Sequence, residues 1–206
     1  MVKVHYFFDP MCGWCYGASS LIEALNNSAD FELTYHPGGM MCRQAIDPSF
    51  RQHILRSDEM IAEKTGAVFG DAYKSRVVSN QELVFDSYLA TRAILVAEDM
   101  GLNLFTMLKA IQASHYQDGG HIEVLDTLKE LAVQYGLDES IWVKKMHQSE
   151  ASVANAIFET QKLMSQSQVN CYPTLIAKVK GEWIKLPHGS YYQRPEEWKT
   201  FVNQLL

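Results

Sequence analysis

Apolar residues at the start of the chain first alternate and then take up a helical spacing. Every second residue from Val2 to Phe8 is apolar, which predicts a strand, and Asp9-Pro10 ends it. Small and apolar residues from about 12 to 26 then indicate a helix. A second alternating segment at 31–35 stops at the turn sequence Pro37-Gly38-Gly39. Strand, helix and strand in this order are typical of a right-handed β-α-β unit.

Between about residues 48 and 168 the apolar spacing is helical throughout. Ser79-Asn80-Gln81-Glu82 has the spelling of a capping box, which predicts a helix that runs from there to Gly101. Asp138 is well placed to cap another helix, and a stripe from Val153 to Met164 predicts a further one.

The alternating pattern returns near the end of the chain. Two short segments on either side of Lys180-Gly181-Glu182 predict a β-hairpin, and Arg194-Pro195-Glu196-Glu197 looks like the start of a last helix. The full order is βαβ, a helical block, then ββα. We therefore predict an α/β protein in which residues 1–45 and 168–206 form a sheet domain and residues 46–167 form an inserted helical domain.

Charge and composition narrow the range of partners. The chain has 206 residues, with 18 Lys and Arg against 24 Asp and Glu, a formal net charge of −6. This balance argues against nucleic acid or an anionic membrane surface as the main partner. No run of about 18 apolar residues occurs, so we expect no membrane-spanning segment. The chain enters a strand without an export signal, and we expect a cytoplasmic protein.

The segment Cys12-Gly13-Trp14-Cys15 lies where the first predicted strand gives way to a helix. The first sulfur would lie over the free N–H groups of the helix start, which together with the helix dipole favour a thiolate. Cys15 follows one turn later, close enough to form a disulfide with Cys12. A dithiol of this kind exchanges electrons with other dithiols, so the sequence predicts a thiol–disulfide oxidoreductase.

A zinc site is the competing interpretation of two cysteines at this spacing. It would need two more ligands, and the plausible donors are His36, Cys42, Cys171 and His188. None of these is paired at the short spacing that zinc sites use, so we predict no metal.

Four segments carry a resemblance to a known family: Asp9-Pro10-Met11-Cys12-Gly13-Trp14-Cys15, Pro37-Gly38-Gly39, Gly136-Leu137-Asp138 and Tyr172-Pro173-Thr174. The chain resembles, over nearly its whole length, the DsbA-like thiol–disulfide oxidoreductases, in particular their cytosolic FrnE-type members. Relatives of that family include 2-hydroxychromene-2-carboxylate isomerases and kappa-class glutathione transferases. The first and last segments are the specific ones.

The resemblance implies a thioredoxin-like fold with an inserted all-helical domain. It implies that Cys12 and Cys15 are catalytic, that Pro173 is a cis-proline beside Cys12, and that substrates contact Gly13, Trp14, Tyr172 and Pro173. The expected partners are protein or peptide thiols and disulfides. No resident cofactor is implied, and an external thiol such as glutathione is a candidate co-substrate.

The chain departs from its relatives at two positions. Several of them carry a buried acid six residues before the first cysteine, where this chain has Tyr6. The group that takes the proton of Cys15 therefore stays open between Asp9 and a water molecule. The isomerase and transferase relatives usually have serine where this chain has Cys12, and the retained sulfur favours redox chemistry. The alternatives are a glutathione-dependent isomerase or transferase of the kappa type, and a redox sensor.

We make less specific predictions for three other parts of the sequence. Cys171 lies two residues before Pro173, and we interpret it as a buried apolar residue. Cys42 is either a third thiol near the site or a loop residue. We assign His115-Tyr116 no part in the site, because isolated histidines on helices are more often packed or solvated than functional.

Overall fold

A computed structural model describes all residues from 1 to 206 and contains one mixed four-stranded sheet with the strand order β2-β1-β5-β6. The strands are β1 (Val2–Phe8), β2 (Phe31–Pro37), β5 (Thr174–Val179) and β6 (Glu182–Lys185). β1 runs parallel to β2 and antiparallel to β5, so the first and third predicted strands are neighbours. Two further strands, β3 (Gln44–Ala45) and β4 (Val84–Phe85), form a separate ribbon. The predicted α/β class and thioredoxin-like order are confirmed.

Ten α-helices and one 3₁₀ turn surround the strands. They are α1 (Gly13–Gly17), α2 (Ser19–Asn26), α3 (Pro48–Thr65), α4 (Asp71–Val78), α5 (Ser87–Asp99), α6 (Leu104–Tyr116), α7 (Leu125–Gln134), α8 (Glu139–Gln148), α9 (Glu150–Gln166), the 3₁₀ turn His188–Tyr191 and α10 (Pro195–Asn203). None of these helices is both long and apolar enough to cross a membrane.

The predicted C-terminal elements are present. β5 and β6 pair as a hairpin, with Lys180 and Gly181 at φ +51° and +90° in the turn. Two consecutive residues at positive φ form the turn that matches the twist of a two-stranded hairpin. α10 begins at Pro195, and its Trp198 indole is fully buried and donates to the Leu21 carbonyl oxygen at 2.9 Å. This contact holds the last helix against α2.

The helix predicted for residues 12–26 is divided into α1 and α2 at Ala18. The Ser19 hydroxyl donates to the Cys15 carbonyl oxygen at 3.4 Å, next to the division. A serine side chain that takes this carbonyl competes with the backbone amide that would otherwise extend the helix. The result is a single-turn α1 that carries Cys15.

The capping box predicted at Ser79–Glu82 is wrong. These residues are not helical, and α5 begins only at Ser87, where the Asp86 carboxylate accepts from the Leu89 amide at 3.0 Å. The buried guanidinium of Arg51 donates to the Ser79 and Gln81 carbonyl oxygens and fixes this segment as a loop. The hydrogen bonds from Arg51 and the cap at Asp86 therefore decide where α5 begins, rather than the capping-box sequence at Ser79–Glu82.

The remaining helical predictions are confirmed. The Asp138 carboxylate accepts from the Ile141 amide at 2.9 Å and caps α8. The predicted stripe on α9 is buried from Val153 to Met164, and Gly101 ends α5 at φ +90°. The division into a sheet domain (1–45 and 168–206) and an inserted helical domain (46–167) stays a prediction.

Candidate active site

Cys12 and Cys15 lie at the start of α1, directly after the loop that leaves β1. Cys12 is the N-cap residue and is 7% exposed, whereas Cys15 is completely buried. Burial, and then the hydrogen bond and charge of the Cys12 sulfur, raise the pKa of the Cys15 thiol well above its ordinary value. Cys12 is therefore the more accessible sulfur of the pair, and Cys15 stays protonated behind it.

Tyr172 and the cis-Pro173 lie beside Cys12. The Cys12 thiol donates to the Tyr172 carbonyl oxygen, with sulfur and oxygen 3.7 Å apart. The Tyr172 N–H makes no backbone hydrogen bond, because β5 begins only at Thr174. The backbone here is thus available to an extended substrate chain.

Gly38, in the Pro37-Gly38-Gly39 turn, affects the site because it has no side chain. A Cβ on Gly38 would lie 2.0 Å from the Tyr172 hydroxyl oxygen and 2.1 Å from the ring carbon that carries it. Only glycine allows the aromatic ring to lie this close to the loop after β2. The turn therefore positions the tyrosine whose carbonyl accepts from Cys12.

The two residues between the cysteines face different neighbours. Trp14 stacks on Tyr192, with ring centroids 6.1 Å apart. Gly13 faces α3: a Cβ there would lie 2.9 Å from the Ile61 methyl and 3.3 Å from the Asp58 carboxylate. Both line the same groove as Cys12, where the resemblance expects substrate contacts.

Tyr6 and Asp9 lie behind the dithiol, and both are fully buried. Burial, followed by the neighbouring Cys15 and Cys12, raises the pKa of the Tyr6 phenol, so Tyr6 stays protonated. The Asp9 carboxylate accepts from the Met11 and Met40 amides and from the Ser87 hydroxyl at 2.6–2.8 Å. Burial nevertheless raises the pKa of Asp9 against these three bonds. Asp9 thereby ties three segments together under Cys12.

A groove of about 410 Å³ opens beside Cys12 and is walled by α3 and by the loop after β2. Its walls are mostly apolar, and Met40 and Phe50 expose nearly half of their surface. Tyr116 closes one side, and its hydroxyl donates to the Met11 carbonyl oxygen at 2.8 Å. The groove therefore presents a mostly apolar surface next to Cys12.

Sequence reasoning missed Asp58 and Tyr73 in this groove, and its expectation that Tyr116 has no part in the site is wrong, because Tyr116 lines the groove. The Tyr73 hydroxyl donates to an Asp58 carboxylate oxygen at 2.8 Å, and both side chains are buried. One signal was available for Asp58. It lies four residues after Ile54 and three before Ile61, so a carboxylate interrupts the apolar stripe of α3. Tyr73 has no such signal.

The two other cysteines are both exposed. The expectation that Cys171 is a buried apolar residue is therefore wrong. Its sulfur lies 3.6 Å from the Thr174 hydroxyl at the entrance to β5, where the chain has not yet joined the sheet. Cys42 lies in the loop between β2 and β3. No group of three or more His, Cys, Asp or Glu side chains converges in an arrangement that could hold a metal ion.

These features define a class of protein. A mixed sheet of thioredoxin-like order presents a C-x-x-C pair at the end of its first strand, with a cis-proline next to the outer sulfur. The family model for the DSBA-like thioredoxin domain matches residues 3–190. The chain belongs to the DsbA-like thioredoxin family and is an oxidoreductase that acts on thiols and disulfides.

Solved structures agree with this assignment. The chain is similar to the cytosolic disulfide reductase DsbM from Pseudomonas aeruginosa, with 31% identity, a TM-score of 0.90 and coverage of 98% of this chain and 97% of that one. The structure of the same protein with GSH gives 30% identity, a TM-score of 0.89 and 98% coverage of both chains. A 2-hydroxychromene-2-carboxylate isomerase shares the fold at 13% identity and a TM-score of 0.57, over 98% of this chain and 95% of that one. Among curated proteins, none matches the chain in sequence.

Proposed function

We propose that the protein is a disulfide reductase in which Cys12 attacks the substrate and Cys15 resolves the mixed disulfide. The observation that carries this proposal is the asymmetry of the pair: Cys12 lies at the groove, while Cys15 is buried with a raised pKa. An attacking thiol needs access and thiolate character, whereas a resolving thiol needs only to reach the first sulfur.

The reaction consists of two exchanges that balance in atoms and electrons. The Cys12 thiolate attacks one sulfur of a substrate disulfide, the S–S bond breaks, and one substrate thiolate leaves. Cys15 then attacks the Cys12 sulfur, and the bond between Cys12 and the substrate sulfur breaks. The proton of Cys15 passes to that substrate sulfur, which departs as the second thiol, and a Cys12–Cys15 disulfide remains. Two molecules of an external thiol return this disulfide to the dithiol and are themselves oxidised to a disulfide.

Glutathione is the external thiol that we propose, and protein or peptide disulfides are the substrates. The support for glutathione is the Pseudomonas aeruginosa relative, a cytosolic disulfide reductase that has been solved with GSH. The support for a polypeptide substrate is the unpaired backbone at Tyr172 and the apolar groove beside Cys12. Residence in the cytoplasm and the absence of a resident cofactor are parts of the same proposal.

Insulin reduction with glutathione as the electron source tests the proposal. The wild-type protein should turn over, Cys12→Ser should lose all activity, and Cys15→Ser should lose most of its turnover. Mixed with insulin in the absence of glutathione, reduced Cys15→Ser should accumulate disulfide-linked adducts that dithiothreitol releases. Cys171→Ser is the matched control, because that thiol is exposed near the site and has no step in this mechanism.

A glutathione-dependent isomerase or transferase would give another pattern. Cys15 takes no part in chemistry on a bound glutathione conjugate, so Cys15→Ser would keep full turnover on a small electrophile and trap no adduct. That result would replace the reductase with the kappa-type alternative. A redox sensor would show reversible oxidation of the pair without turnover.

A further inference from the structure

Asp58 places a carboxyl group on the wall of the groove that begins at Cys12, and the two exchanges described above do not use it. It lies in α3, which packs so closely on α1 that Ile61 and Thr65 take the space beside Gly13 and Gly17. The Asp58 residue is 6% exposed. One of its oxygens, Oδ1, lies 3.3 Å from the position that a Cβ on Gly13 would take, directly after Cys12 in the chain.

The two oxygens of Asp58 differ in their hydrogen bonding. Oδ2 accepts from the Tyr73 hydroxyl at 2.8 Å, while Oδ1 accepts no hydrogen bond from the protein. Asp9 differs from Asp58 in this respect, because both of its carboxylate oxygens accept hydrogen bonds. A buried carboxylate is ordinarily satisfied on both oxygens. Asp58 therefore keeps one oxygen available to a molecule in the groove.

The surroundings of Asp58 favour a carboxyl group that exchanges its proton near neutral pH. Burial raises its pKa to about 7, against the hydrogen bond from Tyr73 and the positive charge of Lys74 on α4, which both lower it. The other titratable groups that line the groove with it are the Cys12 thiol on α1, His53 on α3, the Tyr73 phenol on α4 and the Tyr116 phenol on α6, and Glu59 lies next to it on α3. A group that titrates at the operating pH is suited to general acid catalysis.

We propose that Asp58 is the general acid of the first exchange, and that it protonates the thiolate that leaves the substrate disulfide. This inference rests on the proposed reductase function and adds a catalytic residue to it. The Cys12 thiolate forms a bond to one substrate sulfur, the S–S bond breaks, and its electron pair goes to the leaving sulfur. The Asp58 carboxyl proton passes to that sulfur, which gives a neutral thiol and an Asp58 carboxylate.

A second cavity gives Asp58 a contact with solvent that does not pass through the substrate groove. This cavity, of about 600 Å³, lies on the other side of α3 and is also lined by Asp58, with Glu59, Lys74 and Ser75 beside it. Asp58 therefore contacts both the substrate groove and a solvent-accessible space with polar groups. Solvent can return a proton to the carboxylate from that side while the substrate still fills the groove.

The test compares two disulfides that differ in their need for a proton. Glutathione disulfide releases an alkyl thiolate that is basic and leaves slowly without protonation, whereas dithiobis(nitrobenzoic acid) releases an aromatic thiolate that leaves as the anion. Single-turnover rate constants are measured for the reduced protein with each probe, for wild type, Asp58→Asn and Tyr73→Phe. Glu63→Gln is the matched control, because this exposed carboxylate lies on the same helix and lines neither cavity.

We expect Asp58→Asn to slow the reaction with glutathione disulfide by about 100-fold, in the range of general acid–base catalysis, and the aromatic reaction less than about threefold. In wild type the ratio of the two rate constants should fall as the pH rises through about 7, and Asp58→Asn should abolish this pH dependence. Tyr73→Phe removes a hydrogen bond that favours the carboxylate, so the midpoint should move to higher pH. Glu63→Gln should change neither rate.

Equal losses with both disulfides would mean that Asp58 only supports the structure, and no loss with either would mean that it has no role. Either result overturns the proposal while leaving the reductase function intact. If wild type reacts with neither disulfide at Cys12, the reductase function itself fails, and the assignment of Asp58 fails with it.

Discussion

Gly38→Ala is a small substitution with a large expected effect, because it adds one methyl group where the Tyr172 ring already lies. The added carbon would be 2.0 Å from the Tyr172 hydroxyl oxygen, whereas ordinary contact begins near 3.4 Å. The ring must therefore move by about 1.4 Å. Overpacking of this kind costs about 1–3 kcal/mol, and we expect urea unfolding to show a loss in that range.

The same displacement should reach the chemistry, since Tyr172 also supplies the carbonyl oxygen that accepts from the Cys12 thiol. A misplacement of about 1 Å near reacting groups costs up to about 100-fold, and we expect kcat/KM for insulin reduction to fall by about tenfold or more. Gly189→Ala is the matched control, because its nearest neighbour would be 3.9 Å from the new carbon. It should change neither stability nor activity.

A double mutant separates this clash from a general effect of alanine on the turn. In a Tyr172→Ala background the ring is absent. Gly38→Ala should therefore lower the free energy of unfolding much less than it does in the wild-type protein. Full additivity of the two substitutions, or a Gly38→Ala protein as stable and active as wild type, would refute the packing argument.

Three further predictions follow from the structure. Because burial raises the pKa of Asp58 from 3.8 to about 7, the folded protein loses stability as the pH rises from about 4 to 7; Asp58→Asn should remove this loss. Relative to wild type it should gain up to about 4 kcal/mol over that range in urea unfolding, and parallel pH curves would contradict the assignment. Asp86→Ala should cost about 1 kcal/mol through loss of the α5 cap, whereas Glu82→Ala, at the incorrectly predicted cap, should cost less than about 0.5 kcal/mol. Mass-mapped alkylation at pH 7 should label Cys12 fastest, because it is the N-cap residue of α1, and Cys15 slowest, because it is completely buried; fastest labelling of Cys15 or Cys42 would contradict the assigned roles.

The sheet could be predicted from sequence because its signals are local. Alternation of apolar residues sets the face of each strand, and turn residues such as Lys180 and Gly181 set the hairpin. The cap of α8 at Asp138 is equally local. The start of α5 was missed because two cap sequences compete within eight residues, and a distant residue, Arg51, decides between them by binding the loop carbonyls.

The residues of the site also fall into those that local sequence signals predict and those that they do not. The positions of Cys12 and Cys15 follow from spacing at the end of a strand, and the resemblance adds Tyr172 and Pro173. Asp58 was not predicted as a site residue, because its contact with the site depends on how α3 packs on α1. No local sequence pattern encodes that packing. The exposure of Cys171 was not predicted either, because the residues next to it in the chain do not show where β5 begins. Contacts between distant segments decide both cases.

The most direct test of the central claim identifies the cysteine that forms the mixed disulfide. Reduced Cys15→Ser protein is mixed with glutathione disulfide, quenched with acid, digested and analysed by mass spectrometry, with Cys12→Ser as the matched control. We predict one glutathione adduct per chain on Cys12 at early times and no early adduct in the control, since Cys12 is the thiol at the groove. An adduct that appears first on Cys42 or Cys171, or an unmodified Cys12, would contradict the account.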